Sequence, residues 1–79
     1  MPHRTTLSRL EIGESAVVEK LTVHGAMRRR LLDIGLTEGA EVECIGKSPA
    51  GDPSAYLIRG AVIAIRSEDA REIVITRGA

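Results

Sequence analysis

The sequence predicts a small all-β barrel with one short inserted helix, and three observations carry that prediction. The chain of 79 residues makes one domain, too small to enclose a deep substrate cavity as well as a core. Short runs of β-branched and alternating apolar residues recur between glycine and proline turns. One stretch alone changes to a helical period. Five short strands in so short a chain favour closure, because closing the sheet removes the exposed edges that invite aggregation.

Taken in order, Met1 to Thr6 are polar or small and read as a loose N-terminal arm, with the domain proper over 7–79. Leu7, Leu10 and Ile12 are expected on the apolar side of one tight turn, after which Gly13 reverses the chain. Ala16 to Leu21 is rich in β-branched residues and reads as a strand. Over Gly25 to Ile34, Met27, Leu31 and Ile34 fall at i, i+4 and i+7, one stripe of a helix of about three turns. His24 is expected to open that helix. Gly35 is expected to close it in the left-handed conformation, with Leu36 packing back on Leu31. Arg28, Arg29 and Arg30 occupy the other faces, and Leu32 falls among them, off the inward stripe.

Beyond the turn at Gly39, Ala40, Val42 and Cys44 alternate with Glu41 and Glu43, the pattern of a strand with one face in the core. Cys44 is then a buried thiol behaving as a small hydrophobe. Ser48 to Pro53, reading SPAGDP, is dense in turn residues, and its prolines cannot donate to a ladder, so a protruding loop between two strands is expected. Ser54 to Arg66 offers two strands' worth of apolar residues parted by Gly60, which suits a bulge or sharp bend at a barrel corner. Ala61, Ile63 and Ile65 are expected to face one way, Val62, Ala64 and Arg66 the other. Ser67 is expected to cap a single helical turn led by Glu68 and Asp69, and Ile73 to Ile75 supply the last strand.

Composition excludes several function classes. Eleven Lys and Arg balance eleven Asp and Glu, so the chain has no net field to gather nucleic acid or anionic lipid. Tyr56 is the single aromatic residue, which removes the stacking platforms that single-stranded nucleic acid and RNA binders need. One cysteine cannot staple the fold internally, and with no apolar N-terminal run the chain reads as cytoplasmic. Its longest apolar stretch, Ala61 to Ile65, is far below the roughly 20 residues of a bilayer helix, so no membrane insertion is expected. His3, His24 and Cys44 have no spacing that converges on one ion, and neither a metal site nor a cofactor is expected. No nucleophile with a base, carboxylate pair or phosphate-cradling glycine loop stands at a supporting spacing, which argues against an enzyme.

The run Arg30, Leu31, Leu32, Asp33, Ile34, Gly35, Leu36, Thr37, Glu38, Gly39 resembles the FeoA domain, whose members share an arginine and leucine followed by a hydrophobic-Gly-Leu-x-x-Gly turn. Pro49 to Pro53 resembles that family's proline-glycine-aspartate-proline loop. Arg59, Gly60 and Ala64 to Arg66 resemble its later strand segment, and Glu68 to Ala70 its acidic turn. The resemblance implies an SH3-like barrel and a role in ferrous iron uptake beside FeoB, a membrane iron transporter with a cytoplasmic GTP-hydrolysing domain. It extends to the C-terminal barrel of iron-dependent repressors.

Two segments are candidates for partner contact. Arg28, Arg29 and Arg30 concentrate positive charge beside apolar Leu32, an arrangement suited to an acidic partner surface or, less readily, to a nucleotide phosphate in trans. A solvated face with Arg29 paired to Asp33 explains the same residues without a partner. Pro49, Asp52 and Pro53 stiffen the second segment, although turn chemistry accounts for its composition and Asp52 is expected to bond at most its own loop. The expected role is a non-enzymatic accessory protein docking on cytoplasmic parts of FeoB. The alternatives are a regulatory barrel like the repressors', for which no helix-turn-helix is present, and a self-assembling barrel that forms homo-oligomers.

Overall fold

A computed structural model describes residues 3–77. The strands are β1 (His3–Thr6), β2 (Ser15–Leu21), β3 (Glu41–Lys47), β4 (Ser54–Ile58), β5 (Ala61–Ile65) and β6 (Ile73–Arg77). The helices are α1 (Gly25–Asp33) between β2 and β3 and α2 (Ser67–Ala70) between β5 and β6, and a 3-10 turn spans Leu7–Arg9. The strands form one antiparallel sheet in the order β1-β6-β2-β3-β4-β5, wrapped round a single core as a small SH3-like domain.

Alternation along each strand selects what enters the core. Ala16 and Val18 from β2, Val42 and Cys44 from β3, Tyr56 and Ile58 from β4, Ile65 from β5 and Ile73 and Ile75 from β6 are all buried. Leu7 and Leu10 plug one side of the wrapped sheet, where the Tyr56 hydroxyl donates to the Leu7 carbonyl at 3.4 Å. No charged or polar residue is buried among those described, so the core stands on apolar packing.

Four expectations are corrected. The loose arm over 1–6 is a strand from His3 onward: Thr5 and Thr6, β-branched and half-buried, pair with Ile75 and Val74. Met1 and Pro2, like residues 78–79, lie outside the described residues. Ile12 is 57% exposed, because the turn that buries Leu7 and Leu10 ends before it. Closure is incomplete: no ladder joins β1 to β5 among the described residues, so two edges remain. Gly60 forms no bulge; with Arg59 it makes a two-residue hairpin turn between Ile58 and Ala61, and both residues have positive φ, +48° and +83°.

The helix ends as its sequence predicts. Gly35 has φ +98°, the Leu36 amide donates to the Leu31 carbonyl at 2.9 Å, and the Gly35 amide donates to the Leu32 carbonyl at 3.0 Å. This is the double bond of a Schellman cap, and both Leu31 and Leu36 are fully buried beside it. Met27 and Ile34 pack half-buried against the same core, completing the inward stripe.

Candidate contact surface on helix α1

His24 precedes helix α1 as its extended N-cap residue, its side chain making no capping bond, and the helix presents a groove of about 400 Å³ lined by Gly25, Arg28, Arg29, Leu32 and Asp33. Three of the predicted contact residues are therefore gathered into one depression. Leu31 turns wholly inward, and one residue on, a rotation of about 100° leaves Leu32 36% exposed at the groove. Arg28 is partly committed to the fold, since its guanidinium donates to the Leu21 carbonyl at 2.9 Å and ties the helix to the end of β2. Arg29 forms no ion pair with Asp33 among the described residues, so its charge is free at the rim. Arg30 is exposed on the same helix.

The second predicted cluster lies elsewhere. The SPAGDP loop leaves β3 after Lys47, which pairs with Ser54, whereas α1 enters β3 at its opposite end, where Val42 pairs with Ile58. The loop is pinned by the Ser48 amide donating to the Pro53 carbonyl at 3.0 Å and the Gly51 amide to the Ser48 carbonyl at 2.8 Å. Pro49 is exposed and Pro53 half-buried. Asp52 does not bond its own loop. Its carboxylate accepts from the Ser67 amide at 2.9 Å and the Ser67 hydroxyl at 3.1 Å, so Asp52, and not Ser67, satisfies the first turn of α2. The structure thus keeps Arg28, Arg29 and Leu32 together and separates them from Pro49, Asp52 and Pro53.

Sequence reasoning missed a second cleft, of about 440 Å³, on the outer face of β2, β3 and β4, where Glu41, Glu43, Leu57 and Arg59 converge. Glu41 and Glu43 alternate as any solvated strand face does, and only the register Ser15, Glu43, Leu57 across three strands brings the wall together. Arg59 Nε also donates to the Gly35 carbonyl at 3.1 Å, joining the cleft to the α1 cap. The soft ligands are dispersed: His3 lies in β1, His24 at the start of α1, and Cys44 is fully buried in β3.

The model of the FeoA domain matches residues 5–77. The chain belongs to the FeoA family. Among relatives, a Porphyromonas gingivalis protein described as a fusion of Fe(2+) transport protein A with the Fe(2+) transporter FeoB is 32% identical over 69 residues. The match takes in 87% of this chain and 8% of that far longer relative. The solution structure of the FeoA protein from Chlorobium tepidum is 33% identical, with a TM-score of 0.89 over 95% of this chain and 71% of that one. The crystal structure of Stenotrophomonas maltophilia FeoA complexed with zinc, described as an SH3 domain protein, is 35% identical, with a TM-score of 0.78 over 90% of this chain and 88% of that one. A manganese-dependent transcriptional repressor shares the fold at 16% identity and a TM-score of 0.83, over 99% of this chain and 44% of that one. The FeoA family is thus associated with ferrous iron transport through the fused relative, and no helix among the described residues of this chain is long and apolar enough to cross a membrane.

Proposed function

We propose that this FeoA domain is a non-enzymatic, cytoplasmic accessory protein of ferrous iron uptake that docks through the α1 groove on the cytoplasmic region of a FeoB-type transporter. The observation that carries the reading is the groove itself, an apolar centre at Leu32 rimmed by the uncommitted charge of Arg29. An apolar anchor with a charged rim is the anatomy of a contact patch, and arginine is well suited to a carboxylate partner. The fused relative supports the choice of partner, because nature there keeps an FeoA-like segment and a FeoB transporter on one polypeptide. Iron is cargo in this reading, not a resident cofactor. The repressor-like alternative has only the shared fold in its favour.

The test is a Leu32→Ala, Arg29→Ala double variant, assayed for binding to the purified FeoB cytoplasmic region by calorimetry and for cellular ferrous iron uptake. Folding is expected to survive, because both side chains are exposed, while binding and uptake are lost. A folded double variant with full binding and uptake would remove α1 from the interface and leave Pro49, Asp52 and Pro53 of the SPAGDP loop as the next surface. Unfolding of the variant would show that Leu32 belongs to the core.

A further inference from the structure

The two free edges of the sheet differ in how they are guarded. The short edge strand β1 carries His3 and Arg4, and Arg4 pairs with Glu19 at 3.6 Å. At the other edge, β5 reads Ala-Val-Ile-Ala-Ile, with no charge, no proline and no bulge against β4. Native edges are normally blunted by one of those devices, and an edge lacking all of them is a template for another strand.

The hairpin geometry identifies which backbone groups are free. A two-residue turn closes on a hydrogen-bonded pair, here Ile58 and Ala61, so Tyr56 with Ile63 and Ser54 with Ile65 are the other bonded pairs. The amides and carbonyls of Val62 and Ala64 must then point away from β4, and among the described residues neither has another partner. Their side chains stand on the outer face, where Val62 is 63% exposed and Ala64 is also exposed. Half-buried Leu57 and Ala55 on β4, which pair with them, extend the same apolar surface.

We infer that β5 pairs with β5 of a second copy of this chain, antiparallel about Ile63, joining two sheets into one. The sequence of the strand favours a copy of itself. Placing Ile63 opposite Ile63 sets Val62 opposite Ala64 and Ala61 opposite Ile65, so a larger side chain faces a smaller one at each flanking position. The outward amide and carbonyl of Val62 then meet those of Ala64 in the second copy, and the reverse, in the alternation an antiparallel ladder requires. No charges are placed opposite like charges within the seam, because β5 has none, and the apolar strip through Leu57 and Val62 continues across it. The contact is isologous and closes at two copies. A five-residue seam buries little area, so the dimer is weak and its population depends on concentration.

Sedimentation equilibrium from micromolar to millimolar protein reads the association, and amide exchange by NMR locates it. The expected result is a mass rising toward twice the monomer, with protection of the Val62 and Ala64 amides increasing alongside. Ala64→Pro removes an outward donor without touching the β4 ladder, and Val62→Lys charges the edge at an exposed position; each is expected to remain folded and monomeric. The Leu32→Ala, Arg29→Ala protein is expected to dimerise like the wild type, which keeps this test independent of docking through α1. A wild type that stays monomeric at millimolar concentration would overturn the proposal. So would association that survives both edge variants, or a rise in mass without protection at Val62 and Ala64.

Discussion

Replacing Gly35 by alanine tests the cap, the helix boundary and the packing of the β4–β5 turn at once. At φ +98° an L-residue incurs about 1–2 kcal/mol of backbone strain. The new Cβ would also lie 2.6 Å from Arg59 Cδ and 3.2 Å from its Nε, too close to stand, so Arg59 must swing away. That movement breaks the Nε bond to the Gly35 carbonyl, which at an exposed site contributes the lower end of its range, about 0.5 kcal/mol. The sum is about 2 kcal/mol, which for a domain of this size lowers the thermal midpoint by about 8 to 16 °C. Differential scanning calorimetry and urea denaturation read the loss directly. In an Arg59→Ala background the same substitution is expected to cost less, because the clash and the bond are already gone. A Gly35→Ala midpoint within about 2 °C of the wild type would refute both the cap assignment and the role given to Arg59.

Three further outcomes are expected. Asp52→Ala removes both acceptors at the start of α2 and should destabilise the fold by about 1 kcal/mol in urea titration, with Asp52→Asn losing less because it keeps an acceptor. Burial pushes the Tyr56 hydroxyl above its ordinary pKa of 10.0. The unfolded chain therefore ionises first, so the contribution of Tyr56 is intact below about pH 10 and fades as pH rises beyond it, and Tyr56→Phe should flatten that alkaline decline in a pH series of denaturation curves. Cys44, fully buried, should resist a thiol reagent in the native protein and react at once in denaturant; rapid native labelling would contradict its place in the core.

The residues that the sequence placed well are those whose role depends on near neighbours. Met27, Leu31 and Ile34 share a stripe through helical period alone, and Gly35 with Leu36 completes a cap whose bonds span six residues. Leu32 stood out for the same local reason, and so did the alternation that buried Val42 and Cys44. What escaped was decided by distant parts of the chain. The strand at His3–Thr6 exists because β6 offers it a ladder, and nothing in its own polar composition announces that. Asp52 found its partner in Ser67, fifteen residues on, and the cleft at Glu41 and Glu43 needed the register of three strands. The unclosed sheet is of the same kind, since a count of strands says nothing of whether the first and last in spatial order meet.

The place of β6 in the sheet bears on how the domain comes into being. Although it is the last described strand along the chain, it lies inside the sheet, between β1 and β2, and among the described residues it is the sole ladder partner of β1. During synthesis β2 to β5 can assemble in sequence order while the β2 edge that will receive Ile73 and Ile75 stays bare. Folding then finishes by insertion, a long-range step that waits until Arg77 has left the ribosome and that is slow compared with closing a hairpin. A chain cut before Ile73 would not lose a rim strand; it would lose the ladder that holds His3–Thr6 to the rest of the sheet.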